Sequence, residues 1–219
     1  MKQVLHFSFS LLLISTLSFT CIAQEASDST IRVNNQSGLE LSFDYGKLFT
    51  FAADFESKWS GGVGYRYKNK VMLSLIAGVA TLDPQNAYEN GTYHAEGQFG
   101  SASLNYIITI KPGNYLYFGS GYGVSMYEDS YSYIIGNSIW PTATETQSRK
   151  DLQANWAFIN IGSEKKLKIN GLFLGGVFSI RKLLDYDEFE PVDTYAIPGY
   201  GRTSDSTVPA LNIYIKYLF

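Results

Sequence analysis

Residues 211–219 read LNIYIKYLF and alternate strictly between two faces. Leu211, Ile213, Ile215, Tyr217 and Phe219 share one face, which is wholly apolar or aromatic. The opposite face is polar apart from its last member. A period of two residues predicts a β-strand. Its apolar face would meet a second sheet in a soluble sandwich and lipid in a membrane barrel, so the rest of the chain must distinguish the two.

The same alternation recurs seven more times along the chain. The predicted strands cover residues 39–46, 59–68, 71–79, 98–110, 115–128, 152–163, 171–184 and 211–219. One face of each strand carries mainly Leu, Ile, Val and Tyr, and the other carries mainly Gly, Ser and charged residues. The faces of the sixth strand stay open, because Trp156, Phe158, Ile159 and Ile161 fall on both sides.

Short and long connections alternate between these strands. The short turns are 68–70, 111–114 and 164–170, and the long polar loops are 81–97, 129–151 and 185–207. Segment 47–58 would be the first outer loop, as a short helix or as a strand extension with a bulge. This alternation predicts an all-β fold over residues 38–219, an eight-stranded antiparallel up-and-down transmembrane β-barrel with both termini in the periplasm. A soluble lipocalin-like barrel is the alternative, but the Gly- and Ser-rich faces are too small and polar for a dry core.

The beginning of the chain has the features of a secretory signal peptide. Residues 1–23 combine Lys2 with an apolar run and a small-x-small cleavage site after Ala23, and residues 24–37 read as a periplasmic lead. Cys21 raises the alternative of a lipoprotein, although the residues before it fit a lipobox poorly. Removing residues 1–23 deletes Lys2 and no acid, which changes the net charge from −3 to −4. It also deletes the only cysteine, so we expect no disulfide. Mild acidity argues against nucleic-acid binding.

The end of the chain resembles that of bacterial outer-membrane barrels, whose last strand closes on Phe with an aromatic residue two positions earlier. This resemblance implies that Tyr217 and Phe219 are an assembly signal for the barrel-assembly machinery and that the protein lies in the cell outer membrane. The Lys-rich turns, the stretch YAIPGYG at 195–201 and the terminal Phe resemble an uncharacterised outer-membrane barrel family of Bacteroidota, which are Gram-negative bacteria. That family carries no assigned activity.

Charged residues occupy several positions on the predicted inner faces. They are Glu40, Asp44, Arg66, Lys68, Arg181 and Lys216. Because about eight strands leave only enough width for side chains, we expect these charges to form an ion-pair network that plugs the lumen. A narrow channel is the alternative.

Catalytic and metal-binding candidates are few. His94 lies in the predicted loop 81–97 and could act as a general base, as in lipid-modifying barrels of similar size that pair His with Ser and a carboxylate. We favour an ordinary exposed loop histidine, because no strand-borne serine and acid can be placed beside it. The acidic run at 185–193 is typical of a solvated loop, and the sequence predicts no metal site and no cofactor.

The sequence therefore favours a structural or interaction protein. We expect its three long loops to contact partners, which include outer-membrane lipids and another outer-membrane complex. The aromatic residues expected to supply contact area are Tyr88, Tyr93, Tyr131, Tyr133, Trp140, Tyr195 and Tyr200. A lipid-modifying enzyme centred on His94 is the alternative function.

Overall fold

The structure is a computed structural model that describes residues 37–44, 56–84, 91–135, 143–189 and 192–219. The predicted signal peptide with Cys21, and the periplasmic lead apart from Ser37, lie outside the described residues. The strands are β1 (Gly38–Asp44), β2 (Glu56–Tyr67), β3 (Val71–Leu82), β4 (Gly91–Lys111), β5 (Asn114–Ile135), β6 (Ala143–Lys166), β7 (Leu172–Tyr186), β8 (Ala196–Ile197), β9 (Gly201–Arg202) and β10 (Thr207–Leu218).

Eight of these strands form a closed barrel in the order β1-β10-β7-β6-β5-β4-β3-β2. Every neighbouring pair is antiparallel, and β1 pairs with β10 from Glu40↔Leu218 to Asp44↔Tyr214, which closes the ring. The predicted eight-stranded antiparallel up-and-down barrel is confirmed. Strands β8 and β9 pair only with each other. Within the described part of the chain, no helix combines the length and apolarity needed to cross a membrane.

An apolar belt covers the outside of the barrel. In β1, for example, Leu39 is 63% exposed while its neighbour Glu40 is 2% exposed. All eight barrel strands contribute large exposed hydrophobic residues to the belt. These include Leu39, Leu41, Phe43, Val63, Tyr65, Leu73, Leu75, Leu104, Tyr106, Ile108, Phe118, Tyr122, Val124, Met126, Ile159, Ile161, Leu174, Phe178, Leu211 and Ile215. Successive side chains of a strand point to opposite faces, so these residues face outward while their chain neighbours face the lumen.

Strands β4, β5 and β6 are longer than predicted and project beyond the belt. They contain 21, 22 and 24 residues. At about 3.3 Å per residue, β6 is roughly 80 Å long, whereas its exposed large apolar residues are confined to Ile159 and Ile161. Residues 91–97, 129–135 and 143–151 are therefore strand and not loop, which corrects the prediction. The sequence concealed them because most of their outward residues are polar, Ile134 being an exception, so no regular apolar alternation marks them.

The third predicted loop, 185–207, is also partly wrong. Strand β7 continues to Tyr186, β10 begins at Thr207, and the β8–β9 hairpin lies between them. Residues 56–58 of the predicted first outer loop belong to β2, whereas its residues 47–55 lie outside the described part. Residues 164–166 of a predicted turn belong to β6.

The lumen holds more aromatic side chains than the Gly- and Ser-rich faces indicated. Strand β6 turns Trp156 and Phe158 inward, which resolves its faces, and they pack with rings from several other strands. Glycines on adjacent strands make room for these rings. A Cβ added at Gly123 would lie 2.3 Å from Trp156 Cε2, and one at Gly162 would lie 2.1 Å from Tyr117 Cζ. The inside is therefore filled more fully than its small, polar residues predicted, because small residues on one strand accommodate large ones on the next.

Candidate functional site

Four charged side chains meet inside the barrel near the end that carries the short turns. The Arg66 guanidinium donates to both Glu40 and Glu164. The Lys216 ammonium lies 2.8 Å from Glu164 Oε2 and 3.1 Å from Glu40 Oε2. All four side chains are almost fully buried, and Arg66 is 0% exposed. Two cations and two carboxylates thus form a closed quartet in which each charge has opposite-charge partners.

Aromatic rings enclose this quartet. Arg66 lies over Tyr115 and Phe173, with its Cζ 5.1 and 5.2 Å from the two ring centroids. The Tyr214 hydroxyl donates to Glu164 Oε2 at 3.2 Å and lies 2.9 Å from the Tyr117 hydroxyl. Cation–π contacts and a carboxylate with several donors therefore surround the buried charges with favourable partners.

The structure separates the six predicted network residues into four environments. Glu40, Arg66 and Lys216 come together in the quartet, with Glu40 and Lys216 meeting across the β1–β10 seam. Asp44 is half-buried higher in the lumen, where Ser60 Oγ donates to it at 3.4 Å. Lys68 is exposed in the turn after β2, with its ammonium over the Tyr67 ring, so its prediction as a lumen residue is wrong.

The remaining predicted residue, Arg181, lies in the upper lumen. Its Nη1 donates to the carbonyl oxygens of Gly199 and Tyr200, at 2.7 and 3.1 Å. The sequence reading also missed Glu164, which it had assigned to a turn. Inward alternation from Asn160 through Gly162 to Glu164 is the signal that would have found it, once the faces of the sixth strand were known.

Between these levels the lumen contains unfilled space. One cavity of about 70 Å³ is lined by polar residues such as Asp44 and Asn105 and by apolar ones such as Ile76, and a second of about 60 Å³ shares Asn160 with it. The lumen thus contains two small chambers with both polar and apolar walls.

A segment we call the strap, residues 192–203, closes the lumen at the projecting end. It contains the β8–β9 hairpin, whose tip points into the barrel, with Ile197 0% exposed and Tyr200 5.8 Å from the Trp156 ring. Arg181 anchors the carbonyls of the tip. Higher up, the Tyr93 hydroxyl donates to the Ala196 carbonyl at 3.1 Å. These contacts hold the strap inside the barrel mouth.

A second buried ion pair supports the strap. Arg149 Nε donates to Asp129 Oδ1 at 2.7 Å, and Arg149 Nη1 donates to the Val192 carbonyl at 2.9 Å. Tyr93 donates to Asp129 Oδ2 at 2.9 Å. Burial raises the pKa of the Tyr93 hydroxyl, and the neighbouring Asp129 carboxylate raises it further, so Tyr93 stays a neutral donor.

These contacts correct the predicted set of aromatic contact residues. Tyr93, Tyr131 and Tyr200 are buried in the barrel mouth and supply no outer contact area. Tyr133 and Tyr195 are half-buried. The other two predicted contact residues, Tyr88 and Trp140, lie outside the described residues.

His94 lies on β4 and not in a loop, and its side chain points outward. Its Nδ1 lies 2.6 Å from Asp83 Oδ1, and its Nε2 lies 3.9 Å from Glu96 Oε2. Its register partner on β5 is Ser130. The expectation that no strand-borne serine and no acid lie beside His94 is therefore wrong. Among the described residues, no group of three or more His, Cys, Asp or Glu side chains could hold a metal ion.

The fold and this lumen define the protein as an eight-stranded antiparallel β-barrel closed inside by buried side chains. The chain belongs to the family described as "Domain of unknown function (DUF6048)", whose model matches residues 4–219. No curated protein matches it.

Two solved structures are similar to the chain. The N-terminal β-barrel domain of Pseudomonas aeruginosa OprF is 14% identical, with a TM-score of 0.44, over 84% of this chain and 100% of that one. Acinetobacter baumannii CarO2 is 12% identical, with a TM-score of 0.42, over 84% of this chain and 98% of that one.

Proposed function

We propose that this protein is an integral outer-membrane β-barrel with a lumen plugged at both ends, and that it serves as a structural or interaction protein. The observation that carries the proposal is the apolar belt on all eight barrel strands, combined with buried charges inside. In a soluble barrel the large apolar side chains would face inward. Closed barrels cross membranes because every backbone polar group is paired between strands. That the protein comes from a Gram-negative bacterium of the Bacteroidota remains a prediction from the sequence.

Fractionation tests the location. We expect the protein to remain with outer membranes after carbonate washing, and to migrate differently on gels before and after heating, as a folded barrel does. Recovery of the folded chain in the soluble periplasmic fraction would overturn the proposed location.

Two independent closures support a barrel that does not conduct ions. The quartet of Glu40, Arg66, Glu164 and Lys216 fills the lumen near the short turns, and the strap fills the opposite mouth. In planar-bilayer recordings we expect no discrete conductance from the wild-type barrel. Arg66→Ala should not conduct either, because the strap still closes the other end. Stable, ion-selective conductance from the wild type would favour the narrow channel.

The surface proposed for partners is the part of β4, β5 and β6 that projects beyond the belt, with the adjoining loops. Residues 144–148 on β6 are all exposed, and Lys150 is 72% exposed. Amine-reactive crosslinking of native membranes, followed by purification, should trap a partner through this region. Lys150→Arg is the matched control, since it keeps the charge and removes the reactive amine. A crosslinking pattern that does not depend on Lys150 would contradict contact at this position.

Contacts during insertion form a separate part of the proposal. Tyr217 and Phe219 lie together on the lipid-facing side of the last strand, with their rings 4.7 Å apart in an edge-to-face pair. The Phe219 amide donates to the Leu39 carbonyl at 2.9 Å, so this pair sits at the seam that assembly must close. We propose that the barrel-assembly machinery recognises it. Tyr217→Ala with Phe219→Ala should slow insertion in cells, whereas unchanged insertion would remove this role.

A further inference from the structure

Three outward-facing side chains with complementary chemistry form a row across neighbouring strands of the projecting wall. Leu82, the last residue of β3, pairs with Ala95, so Asp83 comes to lie beside His94 on β4. His94 pairs in turn with Ser130 on β5. All three side chains point away from the lumen, because their chain neighbours are buried inside it: Leu82 beside Asp83, Ala95 beside His94, and Asp129 and Tyr131 on either side of Ser130. An aspartate, a histidine and a serine therefore lie side by side across the wall.

The hydrogen bonding of His94 orients its ring. Because a carboxylate can only accept, the 2.6 Å contact with Asp83 Oδ1 places the ring proton on Nδ1 of the neutral histidine. Its Nε2 is then the acceptor. The Glu96 carboxylate lies 3.9 Å from Nε2, beyond hydrogen-bonding distance.

Ser130 is the residue directly opposite His94 on β5. Cβ atoms of directly opposed residues on antiparallel strands lie about 4.5–5.5 Å apart, so a change of serine rotamer can bring Oγ to the ring. His94 is 44% exposed, which leaves the row open to a substrate from outside. These are the three roles of a nucleophile, a base and an orienting acid.

The height of the row indicates which substrates can reach it. Met126 ends the continuous run of exposed apolar residues on β5, Ser130 follows four residues later, and a single exposed apolar residue, Ile134, lies four residues beyond it. Four residues span about 13 Å along a strand, or roughly 10 Å in height at the tilt of a membrane barrel. If the belt lies in the hydrocarbon layer, the row lies level with lipid headgroups.

We propose that Ser130, His94 and Asp83 form a serine esterase site on the outer wall, acting on carboxylic esters in the headgroup layer of surface lipids. Ser130 Oγ attacks the ester carbonyl carbon while His94 Nε2 takes the hydroxyl proton. The alcohol then leaves with that proton, and an acyl–Ser130 ester remains. Water hydrolyses this ester by the same route and restores the serine. Asp83 is a positioning residue that holds the ring tautomer. The lipid substrate class rests on the proposed membrane location, but the chemistry does not.

The experiment uses the full folded barrel in detergent micelles with a fluorophosphonate probe, which forms a Ser Oγ–phosphorus bond and releases fluoride. We expect peptide mass spectrometry to find the adduct on Ser130. Ser130→Ala should abolish it, and His94→Ala should slow labelling at least tenfold. The matched control is Ser148→Ala, which removes the serine opposite Ser130 on β6 and should label at the wild-type rate. Heat-dependent gel mobility verifies that each variant is folded.

The test of Asp83 needs a measurement that would not change if Asp83 had only a structural role. Asp83→Asn should slow labelling at least tenfold and change its pH dependence, and Asp83→Glu should recover part of the rate. No adduct on wild-type Ser130, or equal labelling of the wild type and folded His94→Ala, would overturn the site. Labelling of a barrel that fractionates as a soluble protein would keep the site and remove the lipid substrate. An outer-membrane barrel without labelling would keep the location and remove the site.

Discussion

Arg66→Ala is the most informative perturbation of the buried quartet. Arg66 donates to Glu40 and Glu164, and its removal leaves these two carboxylates with Lys216 as their shared cation. The quartet would change from neutral to a net charge of −1 at a level where all four side chains are almost fully buried. The variant also vacates the space between two aromatic rings.

The expected cost follows from that burial. Breaking a buried ion pair by removing one partner destabilises a protein by about 3–5 kcal/mol. The lost ring contacts of Arg66 add about 0.5–2 kcal/mol. The control is Lys150→Ala, since Lys150 is 72% exposed and lies 3.8 Å from Glu128. A pair of that kind contributes about 0–1 kcal/mol.

The assay is urea unfolding of the barrel in lipid vesicles, followed by tryptophan fluorescence, from which the free energy of unfolding is extrapolated. A compensating substitution tests whether charge imbalance is the cause. Adding Glu164→Gln to Arg66→Ala leaves Glu40 and Lys216 as a one-to-one pair, so the double variant should be more stable than the sum of the two single losses predicts. A free energy of unfolding for Arg66→Ala within about 1 kcal/mol of Lys150→Ala would refute the reasoning.

Two further predictions concern lumen packing and the belt. Gly123→Ala should lower the free energy of unfolding by about 1–3 kcal/mol, because its Cβ would overlap Trp156, whereas Gly100→Ala, with no atom nearer than 3.8 Å, should be tolerated in the same urea assay. Leu104→Arg places a charge in the belt and should cost about 2–4 kcal/mol in vesicles, whereas Thr92→Arg, on the same face of β4 above the belt, should cost much less. Equal losses of stability for the two glycine variants would contradict the packing of Gly123 against Trp156. Equal losses for the two arginine variants would contradict the assignment of Leu104 to the belt.

The belt part of the barrel could be predicted from the sequence because its two faces meet different environments. Leu39, Leu41 and Phe43 alternate with Glu40 and smaller polar residues, and the structure reproduces that parity. A one-residue shift of register would exchange the two faces, so the alternation fixes the strand strongly. In this register Glu40 pairs with Leu218 on β10, and its carboxylate lies 3.1 Å from the Lys216 ammonium.

Glu164 shows where this parity argument fails. It lies close to a turn, among lysines, so its local sequence reads as an exposed charged connection. Only the faces of β6 reveal that it points inward, and those faces were obscured because Trp156 and Phe158 are large lumen residues on a strand whose outer face is also apolar. The space for these rings is provided by glycines on a neighbouring strand, a long-range relation that no local pattern contains.

The part of the wall beyond the belt could not be predicted for a related reason. Outward positions there, such as His94 and Ser130, are polar, so the segment resembles a loop in sequence. Yet the strands continue, because backbone pairing and inward side chains such as Tyr93 and Tyr131 still stabilise them. A continuing strand fixes outward side chains in register, which a loop does not. Under the proposed membrane location, polar outward side chains and the fixed geometry of a strand coincide in this region, and this is why an outward-facing row of reactive groups can be held there.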